Sequence, residues 1–375
     1  MANYTVTGVA LNYSSISHLP PLPSYTLSQV KPIISFIPDF YLIPLVPIAV
    51  YWIFSMFFHF IDTYDIWPQY RLHTPEEISS RNRVSRYEVA RDVLIQQIIQ
   101  FVVATLLSTM DPEQTTGREH YDIACWATRI RIAQRALPQL LAFSGLNAVA
   151  ISRNISNSHP ILAGILAGGK YPSLMVQIDV VSGSMVPTFA HWEILVSKAI
   201  YWLIVPACQF LLAVLVVDTW QYFLHRAMHL NKWLYINFHS RHHRLYVPYA
   251  YGALYNHPVE GFVLDTLGAG IAYKLAGMSA RQGMLFFTLS TIKTVDDHCG
   301  YALPWDPLQH ITKNNASYHD IHHQNWGIKT NFSQPFLTFW DGLLGTMWTG
   351  NTSYKYKRRS KAAIHKVESE KSNSN

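Results

Sequence analysis

A chain of 375 residues could hold two or three water-soluble domains, but only 14% of its residues are charged while 49% are hydrophobic and 14% aromatic. That balance excludes a disordered chain and argues against an ordinary soluble protein, in which about a quarter of residues are charged. The formal net charge of +6 invites a nucleic-acid reading. Yet the basic residues flank apolar segments, where anionic lipid headgroups are the natural partner and nucleic acid is not.

Residues 1–38 are polar and proline-rich, with LPPLPS at Leu19 to Ser24, and show no short apolar core of a signal peptide. The next stretch, Phe40 to Ile61, carries no formal charge over a length that can cross a bilayer and has aromatic residues at both ends, so it is expected to span and to act as the targeting signal. A basic loop follows with Arg71, Arg81, Arg83, Arg86 and Arg91. Val93 to Leu107 is apolar but interrupted by Gln96, Gln97 and Gln100, which leaves a span, a re-entrant segment and a buried helix all open.

Ala199 to Val217 is a second uncharged span. Phe262 to Ala276 and Gly283 to Val295 are weaker, broken by Asp265, Lys274 and Lys293, and read as one hairpin that dips into the membrane and turns near Gly277, Ser279 and Arg281. The positive-inside rule places the loop around Arg81 and the basic tail from Lys355 in the cytoplasm. Arg118, Arg129, Arg131 and Arg135 conflict with a full crossing at 93–107. Either that segment re-enters, or Ile123 to Phe143 lies along the surface as an amphipathic helix with its arginines among the headgroups. Cys125, Cys208 and Cys299 are odd in number and widely separated, so no disulfide framework is implied.

The expected fold class is an all-α integral membrane protein with about four to six membrane-embedded helices and a cytoplasmic, histidine-rich helical cap. Four parts are expected: the polar segment 1–38, an N-terminal membrane region 39–198, a catalytic region 199–350 and a basic, disordered tail 351–375.

Eleven of the eighteen histidines fall between His225 and His323, and eight form three tight sets: His225/His229 in HRAMH, His239/His242/His243 in HSRHH and His319/His322/His323 in HDIHH. On an α-helix, residues three and four apart share a face, so each set offers imidazoles aimed at one point. A single pair at this spacing is commonly incidental, whereas three sets within about a hundred residues are not. Eight imidazoles exceed what one ion takes, about four for zinc, so two metals are the economical reading.

His257 and His298 begin and end the hairpin at the level of the sets and are added as ligands, while His310 has no partner at helical spacing and reads as a bystander. Asp218, Asp297, Asp320 and Asp341 are candidates to accept the outer N–H of ligating rings. The Glu-x-x-His mark of carboxylate di-iron bundles and the HExxH of hydrolytic zinc are both absent. Glu260, the only glutamate between His225 and the tail, is the only candidate for the general base that a water-activating zinc would want.

HRAMH, HSRHH and HDIHH resemble the histidine boxes of the fatty acid hydroxylase superfamily. The phrases DTWQYFLHRAMHLNKWLYINFHSRHHRLYVPYAYGALYNHPVEG, DDHCGYALPWDPLQ and NASYHDIHHQNWGIKTNFSQPFLTFWDGLLGT resemble its fungal sphinganine C4-hydroxylase branch, from about Asp218 to Thr346. The resemblance implies a membrane monooxygenase of the endoplasmic reticulum, multi-pass, with its active site facing the cytoplasm. It implies two iron ions, with zinc standing in as an inactive substitute, O2 as co-substrate, and electrons from NAD(P)H through a reductase and cytochrome b5. The substrate it implies is a sphingoid base or ceramide, hydroxylated at C4. Sterol C4-methyl oxidases and C5-desaturases share the boxes and form the alternative. A non-catalytic, histidine-rich metal transporter is more remote, because transporters place ligands near the midplane of their spans.

Overall fold

The structure, a computed structural model, describes residues 4–6, 19–177 and 185–373. The described residues are mainly helical and fall into two compact units, Met1–Lys31 with Glu113–Cys208, and Pro32–Pro112 with Gln209–Asn375. The expected boundary near 198 therefore moves to 208, and residues 32–112 join the histidine-bearing half. The reason is packing: the helix Asp39–Thr63 lies against both Arg86–Thr109 and the distant helix Ala280–Asp297.

Among the described residues, three helices are long and apolar enough to cross a membrane: Asp39–Thr63, Arg86–Thr109 and His191–Leu230. In the first, Tyr51, Ser55, Phe58 and Ile61 recur at three- and four-residue spacing on the buried face. Ile53, Met56, Phe57 and Phe60 are exposed on the other. A helix apolar on both its packed and its open faces suits lipid rather than water. Pro44 and Pro47 lie inside this helix, in its second and third turns, and each removes one backbone hydrogen bond, to the carbonyls of Phe40 and Ile43.

Arg86–Thr109 inverts the soluble pattern. Asp92, Gln96 and Gln97 face inward, while Leu94, Ile98, Val102 and Leu106 are exposed. Two of the three glutamines that make this segment ambiguous, Gln96 and Gln97, are thus on its packed side, and Gln97 Oε1 accepts the Trp52 indole N–H at 2.7 Å. A capping box between Ser85 and Glu88 starts the helix. The hairpin turns where expected. Gly277 supplies the left-handed position at φ +62°, and Ser279 caps the returning helix Ala280–Asp297.

In the unit formed by 1–31 and 113–208, Tyr25–Gln29 pairs antiparallel with Tyr4–Val6 and Thr115–Thr116, and Met175–Gln177 pairs with Met185–Pro187. The segment expected as a surface helix over 123–143 divides into Glu119–Gln134 and Leu137–Phe143. Arg131 does not reach headgroups. It is buried and grips Glu193 at the start of His191–Ala199, and Gln134 donates to the same carboxylate at 2.7 Å. Burying a charge requires such a partner, and Glu193 offers two oxygens to a guanidinium fork.

The basic tail was expected to be disordered because its apolar periodicity fades, but Ser353–Asn373 is a helix packed beside Pro75–Arg81. Polar anchors replace a hydrophobic stripe. The Tyr356 hydroxyl donates to Asp320, and Arg359 donates to Gln324 Oε1 at 2.8 Å.

Candidate metal centre

His225 and His229 lie in the last two turns of Val205–Leu230, four residues apart on one face. His239, His242 and His243 fall on a 3-10 turn, His239–Arg244, rather than the α-helix that the spacing suggested. The His242 and His243 rings are nearly perpendicular, at 87°. His319, His322 and His323 occupy the short helix Ala316–His323, whose Asn315 cap accepts the Tyr318 N–H at 3.0 Å. His298 caps the C-terminal end of Ala280–Asp297.

Nine imidazoles converge into two buried groups. One contains His225, His229, His239, His243 and His322, and the other His242, His298, His319 and His323. The groups cut across the sequence sets, because the second and third boxes each contribute to both. His257 joins neither. Its Nδ1 accepts the Val259 N–H at 3.2 Å, a helix cap, and its ring packs on Phe238. This corrects its expected place among the ligands: the proline after it starts a helix and turns its ring toward its own backbone. His310 is exposed and bonds Pro304 O at 3.1 Å, clear of both groups.

Within the first group the Nε2 atoms of His225 and His239 are 3.1 Å apart, those of His229 and His243 3.2 Å, and those of His239 and His243 3.0 Å. In the second, His319 and His323 are 3.1 Å apart. Two nitrogens at right angles about an ion with metal–nitrogen bonds of ~2.1 Å would be ~3.0 Å apart.

The far sides of the rings explain why these atoms are suited to be ligands and not hydrogen-bond partners. Nδ1 of His225 donates to Phe332 O at 2.8 Å, of His298 to Thr294 O at 2.8 Å, of His322 to Thr330 O at 2.7 Å and of His323 to Leu245 O at 2.8 Å. His242 does the same to Tyr255 O at 3.2 Å. A carbonyl only accepts, so each Nδ1 carries the proton and each Nε2 presents a lone pair. Lone pairs packed at this distance repel one another unless a cation lies between them. Nε2 of His298 and of His322 has no hydrogen-bond partner although buried. Burial pushes His239, His242 and His298 down to about 3, which holds them as the neutral imidazoles that bind metal. The residues present fit a pair of metal ions.

A fatty acid hydroxylase family model matches residues 210–346, the stretch that carries all nine converging histidines. The chain is 41% identical over 342 residues to the sphingolipid C4-hydroxylase SUR2 of Saccharomyces cerevisiae, covering 91% of this chain and 81% of that protein. The chain belongs to the fatty acid hydroxylase family. It is also 42% identical to the sphingolipid C4-hydroxylase sur2 of Schizosaccharomyces pombe, over 84% of this chain and 91% of that one. With sphinganine C4-monooxygenase 1 of Arabidopsis thaliana the identity is 39%, over 80% and 84%. No solved structure matches it.

The four aspartates proposed as ring partners lie elsewhere in this hydroxylase-family domain. Asp218 accepts the N–H groups of Phe336 and Leu337 at 3.1 and 2.7 Å. Asp341 accepts those of Phe332 and Ser333 at 3.1 and 2.6 Å, and so holds the loop whose Phe332 carbonyl orients His225. Asp320 pairs with His73 at 2.9 Å, and Asp297 with Lys293. None of the four meets a ring of the two groups, because each is claimed by backbone or by a cation.

The carboxylate that does is Glu260, against His239 Nδ1. By its sequence Glu260 is a candidate only for a general base. Its isolation, one buried acid in a long glutamate-free stretch, was the available signal. The backbone carbonyls that orient five other rings leave no trace in the sequence.

Proposed function

We propose that this chain hydroxylates C4 of a sphingoid base, free or N-acylated, at two iron ions held by the two imidazole groups. The observation that carries the proposal is the convergence of nine buried imidazoles, six of which have the outer nitrogen tied to an acceptor, five to backbone carbonyls and one to Glu260. Its relatives named sphingolipid C4-hydroxylases, aligned over most of both chains, support the choice of lipid. His225, His229, His239, His243 and His322 would hold one ion, and His242, His298, His319 and His323 the other. When bound, such a pair supplies O2 activation for attack on an unactivated C–H bond.

The chain's own residues set the conditions for that step. Five carbonyls and Glu260 fix the orientation of six of the nine rings, which reduces the reorganisation that metal binding would require. An all-imidazole set brings less negative charge than a carboxylate set and favours the reduced state of the ions, which suits a modest electron donor. We assign that role to cytochrome b5 with its NAD(P)H-dependent reductase. The histidines lie at the C-terminal end of the span His191–Leu230 and in the segments that follow it, and the basic flanks at Arg81 to Arg91 and in the C-terminal helix support a cytoplasmic site on the endoplasmic reticulum membrane.

Expression in cells that lack C4-hydroxylated bases, followed by mass spectrometry of lipids, tests the reading. Appearance of the C4-hydroxylated base with unchanged sterols is expected, and its absence, with protein present and metal-loaded, would overturn the substrate assignment. Metal analysis is expected to give about two ions per chain, while a single ion would overturn the two-metal site.

A further inference from the structure

A small cavity touches both imidazole groups, through His225 and His239 on one side and His242, His298 and His319 on the other. Its volume of about 30 Å3 exceeds the ~10–15 Å3 that holds one water, so it has room for small polar groups beside the two imidazole groups. Its remaining lining is largely polar and includes Gln221, Asn256 and Asp265. Hydrocarbon alone gives no reason for such a lining.

Asp265 is the unusual member. Asp218, Asp297, Asp320 and Asp341 are each satisfied by backbone N–H groups or by cationic or hydroxyl partners. Asp265 forms no ion pair among the described residues and receives one long hydrogen bond, from Asn256 Nδ2 at 3.3 Å. A carboxylate has about four lone-pair sites, so most of its accepting capacity faces the cavity. It sits in the π-helical segment Phe262–Leu267, a wider turn that recurs at functional sites because it redirects one side chain. In the sequence, the same aspartate is an unexplained acid in an apolar hairpin.

C4 of a sphingoid base is one bond from the carbon bearing the 3-hydroxyl and two from the carbon bearing nitrogen. Any site that presents C4 to the metal pair must therefore meet these donors beside it. We propose that Asp265, with Asn256 and Gln221, binds the N–H and O–H donors of the substrate head and thereby sets C4, and no other carbon, against the imidazole groups. Asp265 is a specificity-determining residue in this arrangement, which rests on the sphingoid reading above.

The test uses the full chain in membranes with its reductase system, supplied separately with sphinganine and with N-acyl sphinganine. Asp265→Asn and Asp265→Leu are expected to raise KM by about tenfold or more, as loss of a hydrogen bond to a charged group does. Products should spread to carbons beyond C4, with metal content kept at the wild-type level. A larger rise for free sphinganine than for the N-acyl form would mark the ammonium as the group held, and an equal rise the hydroxyl. Unchanged KM and a single C4 product in Asp265→Leu would overturn the proposal. If the Asp265 variants lose metal, Asn256→Ser decides by the same two readouts. Failure of the wild-type chain to make any C4-hydroxylated base is the separate outcome that overturns the underlying function.

Discussion

At the scale of single residues, the site depends on what lies behind each imidazole. Glu260 is held close to His239 Nδ1, and burial pushes its carboxyl up to about 8, so the pair is favourable as an ionised group only when a cation lies across the ring. Replacing Glu260 by Ala is expected to cost about 10–100-fold in metal affinity or turnover. Metal titration of the purified variant checks it. His257→Ala is expected to keep wild-type metal content, since that ring caps a helix and lies outside both groups.

His73 gives a pH signature of a different kind. Burial alone would lower it, but the Asp320 and Glu77 carboxylates prevail and raise it to about 9 from 6.5. A folded-state value above the unfolded one contributes stability that is fully present below about pH 6.5 and is lost as pH rises through about 9. Thermal unfolding across that window should show this loss, and His73→Gln should remove it.

At the scale of elements, the second histidine box is the instructive case. Read as an α-helix, HSRHH points its rings one way. On its 3-10 turn they divide, with His239 and His243 in one group and His242 in the other, and the α-helical third box divides at the same spacing, so the facing elements and not the turn type sort the rings. The C-terminal helix shows the converse. Its sequence lacks an apolar stripe, yet Tyr356 and Arg359 lock it onto Asp320 and Gln324, residues interleaved with and following the third box. Tyr356→Phe leaves a buried carboxylate short of a donor and is expected to lower stability by about 1–3 kcal/mol while metal content is retained. Denaturation in detergent, with parallel metal analysis, measures both.

At the scale of the whole molecule, the metals and the fold are expected to be linked. Packed lone pairs without cations destabilise the site, so chelation should lower the unfolding temperature and two equivalents of ferrous ion should restore it. The clustered imidazoles are depressed below 6.5 by burial, the sign opposite to that of His73. Their contribution is therefore present above about pH 6.5 and lost as pH falls below it, as protons compete for the same nitrogens. Metal release measured against falling pH checks this.

The membrane character, the three box sets and the hairpin with its turn were legible in the sequence because each is local: an uncharged run, a three- or four-residue spacing, a glycine beside a serine cap. The family phrases from Asp218 to Thr346 were legible for the same reason. The sorting of nine histidines into five and four, the exclusion of His257, the diversion of four aspartates to other partners and the choice of Glu260 were not. Those outcomes depend on which backbone carbonyl or acid faces each ring, at separations that run from 4 residues for His298 to 107 for His225, and the histidine spacing carries no record of that. The sequence by itself determined that this protein gathers imidazoles beside a membrane. Only the tertiary structure decided which nitrogens share a centre, because convergence comes from packing between distant helices and not from the period of any one of them.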